Sequence, residues 1–136
     1  METIITIINF VILGLIISLP ILTIIRLRKS NTRKVAVKYF LIGLLLMAFL
    51  ISIFAAWGDF SNLILLYHYG YSVDGMNYEN VLPENRERVD TLVTSLMGIG
   101  WSLKAMFGFI MTIPYLIFVY FGKMLTDRIM IKKNEA

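Results

Sequence analysis

The sequence has no cysteine and only one histidine. Without cysteine there is no disulfide, no thiolate nucleophile, no thiol redox switch and no Cys-held iron–sulfur cluster. The lone His68 excludes bis-histidine haem within one chain, and no carboxylates stand at metal-ligand spacing around it. It lies among Tyr67, Tyr69 and Tyr71, a pattern typical of the aromatic belt at a membrane interface. No Walker-type glycine loop is present, and no second histidine could share a site with the first. The expectation is a protein that is not an enzyme and that holds no cofactor and no metal.

Charge is equally scarce over most of the chain. Ile4–Ile25 carries none, Tyr39–Gly70 carries only Asp59, and Thr91–Gly122 carries only Lys104. Each run is at least as long as the roughly 20 residues a helix needs to cross a bilayer core. Hydrophobic residues make up 58% of the 136 positions and mean hydropathy is +0.76. Soluble domains usually hold about 45–50% apolar residues. The sequence therefore predicts an all-α integral membrane protein, a single membrane domain over residues 1–136. Its three transmembrane helices are expected over about 3–25, 39–59 and 103–122.

The net charge of +4 does not point to nucleic acid, because the cations are not spread as a binding face. Arg26, Arg28, Lys29, Arg33, Lys34 and Lys38 gather in one connection with no acid between them. Lys123, Arg128, Lys132 and Lys133 gather in the C-terminal tail. Basic residues concentrated on one side of the spans orient them, so both segments are expected inside and the N-terminus outside. The first run is expected to be an uncleaved anchor: Glu2 precedes it, Arg26–Lys29 follow it, and no small-residue cleavage site is visible. A cluster of four to eight Lys/Arg beside a span can also recognise anionic lipid head groups, although topology alone accounts for this one. The Ile-rich, Cys-free composition points to a low-GC prokaryotic source.

The outer loop, about residues 67–90, holds five acids and two arginines, three net negative charges. Asp74-Gly75, flanked by alternating apolar residues, predicts either a small β-hairpin with positive φ at both turn positions or an irregular loop with a turn there. Pro83 and Glu84 suit the start of a helix. Glu84/Arg88 and Arg86/Asp90 are spaced as i,i+4 pairs on it. This third helix is expected to run on through Gly98 and Gly100 into the bilayer. Pro20 and Pro114 are expected to kink the first and third spans.

Small residues mark where helices could approach. Ala48, Ser52 and Ala56 recur every four residues on helix two, and Ala105, Gly108 and Thr112 share one side of helix three. Matching these faces antiparallel puts Asp59 near Lys104 at the outer end of both. There they serve either as a structural ion pair or as a proton or ion site. Trp57 and Trp101 are expected as outer-interface anchors. The eight Met residues suit gap-filling packing.

These features favour a non-catalytic protein of the cell inner (plasma) membrane. It would act by helix packing with a membrane-protein partner, as an accessory subunit or immunity-type protein. The alternative is a self-assembling, holin-like pore or small transporter, which would be a homo-oligomer. A haem or quinone anchor is disfavoured by the single histidine.

Overall fold

A computed structural model describes residues 1–29 and 34–135, the last by its backbone alone. Among the described residues four α-helices follow one another: α1 (Glu2–Lys29), α2 (Val35–His68), α3 (Arg86–Met97) and α4 (Trp101–Glu135). A 3-10 turn, Pro83–Asn85, leads into α3. At 1.5 Å per residue, α1, α2 and α4 are about 42, 51 and 52 Å long, against a hydrocarbon core of about 30 Å. All three are long and apolar enough to cross a membrane. The chain is thus built as a multi-pass membrane protein. Each helix overruns its expected span: α2 absorbs 60–68, and α4 continues through the basic tail. Pro20 and Pro114 lie inside continuous helices.

One expectation is corrected, and of the two alternatives for the acidic loop the hairpin is not formed. The third apolar run is two helices, broken at Gly98-Ile99-Gly100. Two glycines two residues apart favour this, since glycine weakens a helix interior by about 0.5–1 kcal/mol relative to alanine. The acidic loop contains no strand among the described residues. Its only pairing is a single antiparallel bridge between Ser72 and Asn77, with N–H···O distances of 3.2 and 3.1 Å. The left-handed residue in the turn is Met76 (φ 48°), not Asp74 or Gly75.

The ladder cannot lengthen on either side of that bridge. After Asn77 its side-chain oxygen accepts from the Glu79 amide at 2.8 Å and bends the chain. Before Ser72 the chain is closing helix α2. The Gly70 amide donates to the Tyr67 carbonyl, and the Tyr71 amide donates to the Leu66 carbonyl. With Gly70 at φ +82°, this is a Schellman end. A Cβ on Gly70 would lie 2.6 Å from the Asn80 carbonyl oxygen, so only glycine fits.

The chain forms two compact units. The first comprises Met1–Val11 and Ser52–Phe107. Its core gathers Ile5, Leu65, Leu66, Tyr71, Val81, Val89 and Leu92. Helix α3 contributes Val89 and Leu92, three residues apart on one face, and its Val93 and Leu96 pack partly buried against the same cluster. The second unit comprises Ile12–Ile51 and Gly108–Ala136. Its fully buried side chains include Pro20, Ile24, Tyr39, Met47 and Leu116.

Within the second unit α2 and α4 pack antiparallel in steps of four. Tyr39 stacks on Tyr120 with ring centroids 5.8 Å apart. Gly43 faces Leu116, whose Cδ2 is 3.1 Å from where a Cβ would stand. Ile51 faces Gly108, its Cγ2 2.9 Å from the equivalent point. Met47 and Thr112, both buried, occupy the register between these last two pairs. Each close contact therefore sets a glycine against a branched side chain. The Tyr39 hydroxyl also donates to the Leu116 carbonyl at 3.1 Å, and Tyr115 donates to the Ile17 carbonyl of α1 at 2.6 Å. Pro20 has no N–H for the adjacent Ile16 carbonyl, so Tyr115 adds a donor to the weakened part of the helix.

Candidate functional site

The first unit brings Asp59 and Lys104 together. Asp59 lies on α2. Lys104 lies in the first turn of α4, where the positive end of the helix dipole disfavours a cation. Two acceptors offset this. The Lys104 ammonium is 2.5 Å from Asp59 Oδ1 and donates to the Ser95 carbonyl at 3.4 Å. Ser95 belongs to the last turn of α3, whose carbonyls lack helical donors and carry partial negative charge. The break at 98–100 lets α4 begin where its lysine can reach back to that end. Asn62, three residues beyond Asp59, donates through Nδ2 to Ser95 Oγ at 3.2 Å. One small polar network thus joins α2, α3 and α4. The Lys104 and Asp59 side chains are 34% and 17% exposed.

An open, mostly apolar pocket of about 580 Å³ borders this network, with Ile53, Trp57, Phe60 and Trp101 among its walls beside Asp59. The two tryptophans differ. Trp101 is exposed, whereas Trp57 packs against the core of the unit. The Trp57 indole N–H is buried without a hydrogen-bond partner among the described residues.

A second cluster ties the start of α1 to α3. Glu2 Oε1 accepts from Arg88 Nε at 2.8 Å and from the Tyr69 hydroxyl at 2.9 Å. The Glu2 carboxylate holds the Arg88 guanidinium above its ordinary pKa. It also raises the Tyr69 phenol by accepting its proton in a hydrogen bond. Tyr78 donates to Asp90 Oδ1 at 2.7 Å, which pushes the phenol up to about 12. Arg88 and Asp90 therefore turn to Glu2 and Tyr78 rather than to Glu84 and Arg86. Glu84 sits in the 3-10 turn, where four-residue helical spacing does not apply. In the second unit Asp127 accepts from Arg28 at 2.5 Å and from Lys123 at 2.8 Å. Arg33 lies outside the described residues.

The small residues take varied positions. Ala105 and Thr112 are buried, and the Thr112 hydroxyl donates to the Phe109 carbonyl of its own helix at 2.7 Å. Ala48 is exposed, and Ser52 and Ala56 are half-buried. The residue that meets Gly108 within the second unit is Ile51. By spacing, Asp59 falls on the four-residue row of Tyr39, Gly43, Met47, Ile51 and Ala55. Among the described residues no group of three or more His, Cys, Asp or Glu side chains could hold a metal ion.

Sequence reasoning missed Ser95, Asn62 and the Glu2–Arg88–Tyr69 cluster. Glu2 and Arg88 are 86 residues apart, and no local pattern links them. Gly70 was findable, as a glycine just past a long apolar helix. Compared with known protein families, curated proteins and solved structures, the chain matches none.

Proposed function

We propose that the chain is a bacterial inner (plasma) membrane protein that acts without catalysis by packing against a membrane-protein partner. It would serve as an accessory subunit or an immunity-type protein. In this reading the N-terminus and the acidic loop face outward, while the basic connection and the tail face the cytoplasm. The charge asymmetry of the connections supports that orientation. The observation that carries the functional reading is the Asp59–Lys104–Ser95 network. The two lone charges of the long apolar runs pair with each other and link three helices, which supports a bracing role over an ion path. The outward surface is apolar helix, including Phe10, Phe49, Met111 and Phe118, the last 80% exposed. Such surface suits lipid and neighbouring helices.

The test is purification of the tagged chain in mild detergent from its native cells, followed by intact-complex mass spectrometry. One other membrane protein at fixed stoichiometry is expected. A lone monomer, or a homo-oligomer that conducts ions in liposomes, would overturn the reading.

A further inference from the structure

We infer that the second unit carries a binding site for a single anionic phospholipid, in a groove between α1 and α2. The groove is about 540 Å³. Its walls are Leu19 and Leu22 from α1 and Ile42 and Leu46 from α2, with Thr23 and Arg26 also lining it. Leu19, Leu22, Thr23 and Arg26 are spaced as one helical face (i, i+3, i+4, i+7). Ile42 and Leu46 stand one turn apart on α2. Lys38 stands one turn before Ile42 on the same row, toward the connection that Arg26 also approaches. By register, two cations cap the same end of an apolar trough.

The chemistry selects the occupant. From Leu46 to Lys38 the rise is about 12 Å, most of the roughly 15 Å of hydrocarbon in one leaflet. An acyl chain can lie along the leucines while its phosphate reaches Arg26. Arg28 is paired with Asp127, whereas Arg26 forms no ion pair among the described residues and keeps its guanidinium fork for an incoming anion. That fork matches phosphate in a bidentate manner. Thr23 donates its hydroxyl to the Leu19 carbonyl at 2.7 Å, so it adds no competing donor. A zwitterionic head group would bring its own cation against Arg26 and Lys38. A net negative one would not, and each basic residue near a membrane surface favours anionic lipid. The site does not depend on which protein partner the chain has.

The test uses the full chain, delipidated in detergent and titrated by native mass spectrometry with phosphatidylglycerol, phosphatidylcholine or free glycerol phosphate. One phosphatidylglycerol should be retained in preference to phosphatidylcholine, and glycerol phosphate should not be retained. Arg26→Gln should weaken phosphatidylglycerol retention roughly tenfold, as loss of a charged hydrogen-bonding partner does, and leave phosphatidylcholine unchanged. Leu46→Trp should reduce retention by filling the trough. Equal retention of the two lipids by the unaltered chain would overturn the inference, whatever the variants do. So would an undiminished Arg26→Gln, or glycerol phosphate binding as tightly as the lipid.

Discussion

At the scale of single residues, Gly70 sets how the acidic loop leaves α2, and Tyr78 ties that loop to α3. Gly70 combines a positive φ with a carbonyl 2.6 Å from where its Cβ would be. Gly70→Ala should therefore cost about 1–3 kcal/mol or more, seen as a lower Tm in detergent. Gly58 lies inside the same helix with nothing within 4 Å. Gly58→Ala should be neutral or stabilising by up to about 1 kcal/mol. Equal losses at both positions would remove the Schellman argument. Tyr78 gives a pH signature. Its phenol is raised to about 12 because Asp90 accepts its proton in a hydrogen bond, from an ordinary value of about 10. A raised acid is favoured in its protonated form. Its contribution to stability is complete below pH of about 10 and disappears as pH rises through about 12. The tyrosinate absorbance lost on Tyr78→Phe should titrate near 12, and Asp90→Asn should return it toward 10.

At the scale of helices, the close approach of α2 and α4 rests on glycines set against larger residues. Gly108→Leu would drive a branched side chain into Ile51 and should cost about 1–3 kcal/mol by overpacking. Gly14→Leu, at an exposed helical glycine with nothing within 4 Å, should be tolerated. Thermal unfolding of the two variants separates local packing from any general effect of the substitution. For the Asp59–Lys104 pair, partial exposure places the coupling between a wet surface bridge and a buried one, at about 1–3 kcal/mol. A double-mutant cycle measures it, and the exchange Asp59→Lys with Lys104→Asp should recover much of what either single change loses. Strict additivity would show the two charges to be uncoupled. This scale was only partly legible in the sequence. Asp59 and Lys104 stand out because each is the lone charge in its apolar run. Ala48, Ser52 and Ala56 stand out by size, yet the row buried in the second unit is Tyr39, Gly43, Met47 and Ile51. Periodicity every four residues fits both rows, and hydropathy cannot choose between them inside a run that is apolar on all sides. The end of α3 was hidden because Gly98-Ile99-Gly100 is apolar and short, and a hydropathy window passes over it.

At the scale of the whole molecule, the three long helices were legible because bilayer thickness sets the length of an apolar run directly. Their ends were not, because a helix continues past the membrane wherever backbone hydrogen bonding allows. That is how α2 reaches His68 and α4 reaches Glu135. The proposed orientation can be read in intact cells, and the natural absence of cysteine makes the background clean. A single cysteine at Asn77 should react with a membrane-impermeant thiol reagent, and one at Lys132 should react only after permeabilisation. The reverse pattern would invert the topology. The matched rungs of α2 and α4 also bear on motion. Slide α4 one turn along α2, and Leu116 meets Met47 while Thr112 meets Ile51. Slide it the other way, and Gly43 is left opposite a threonine too small to fill the gap that Leu116 fills. One-turn ratchets are a common way for helical proteins to switch, but these teeth mesh at one setting only. Any signal through this pair of helices must then travel as a tilt or a rigid displacement of both together, and not as a piston stroke of one past the other.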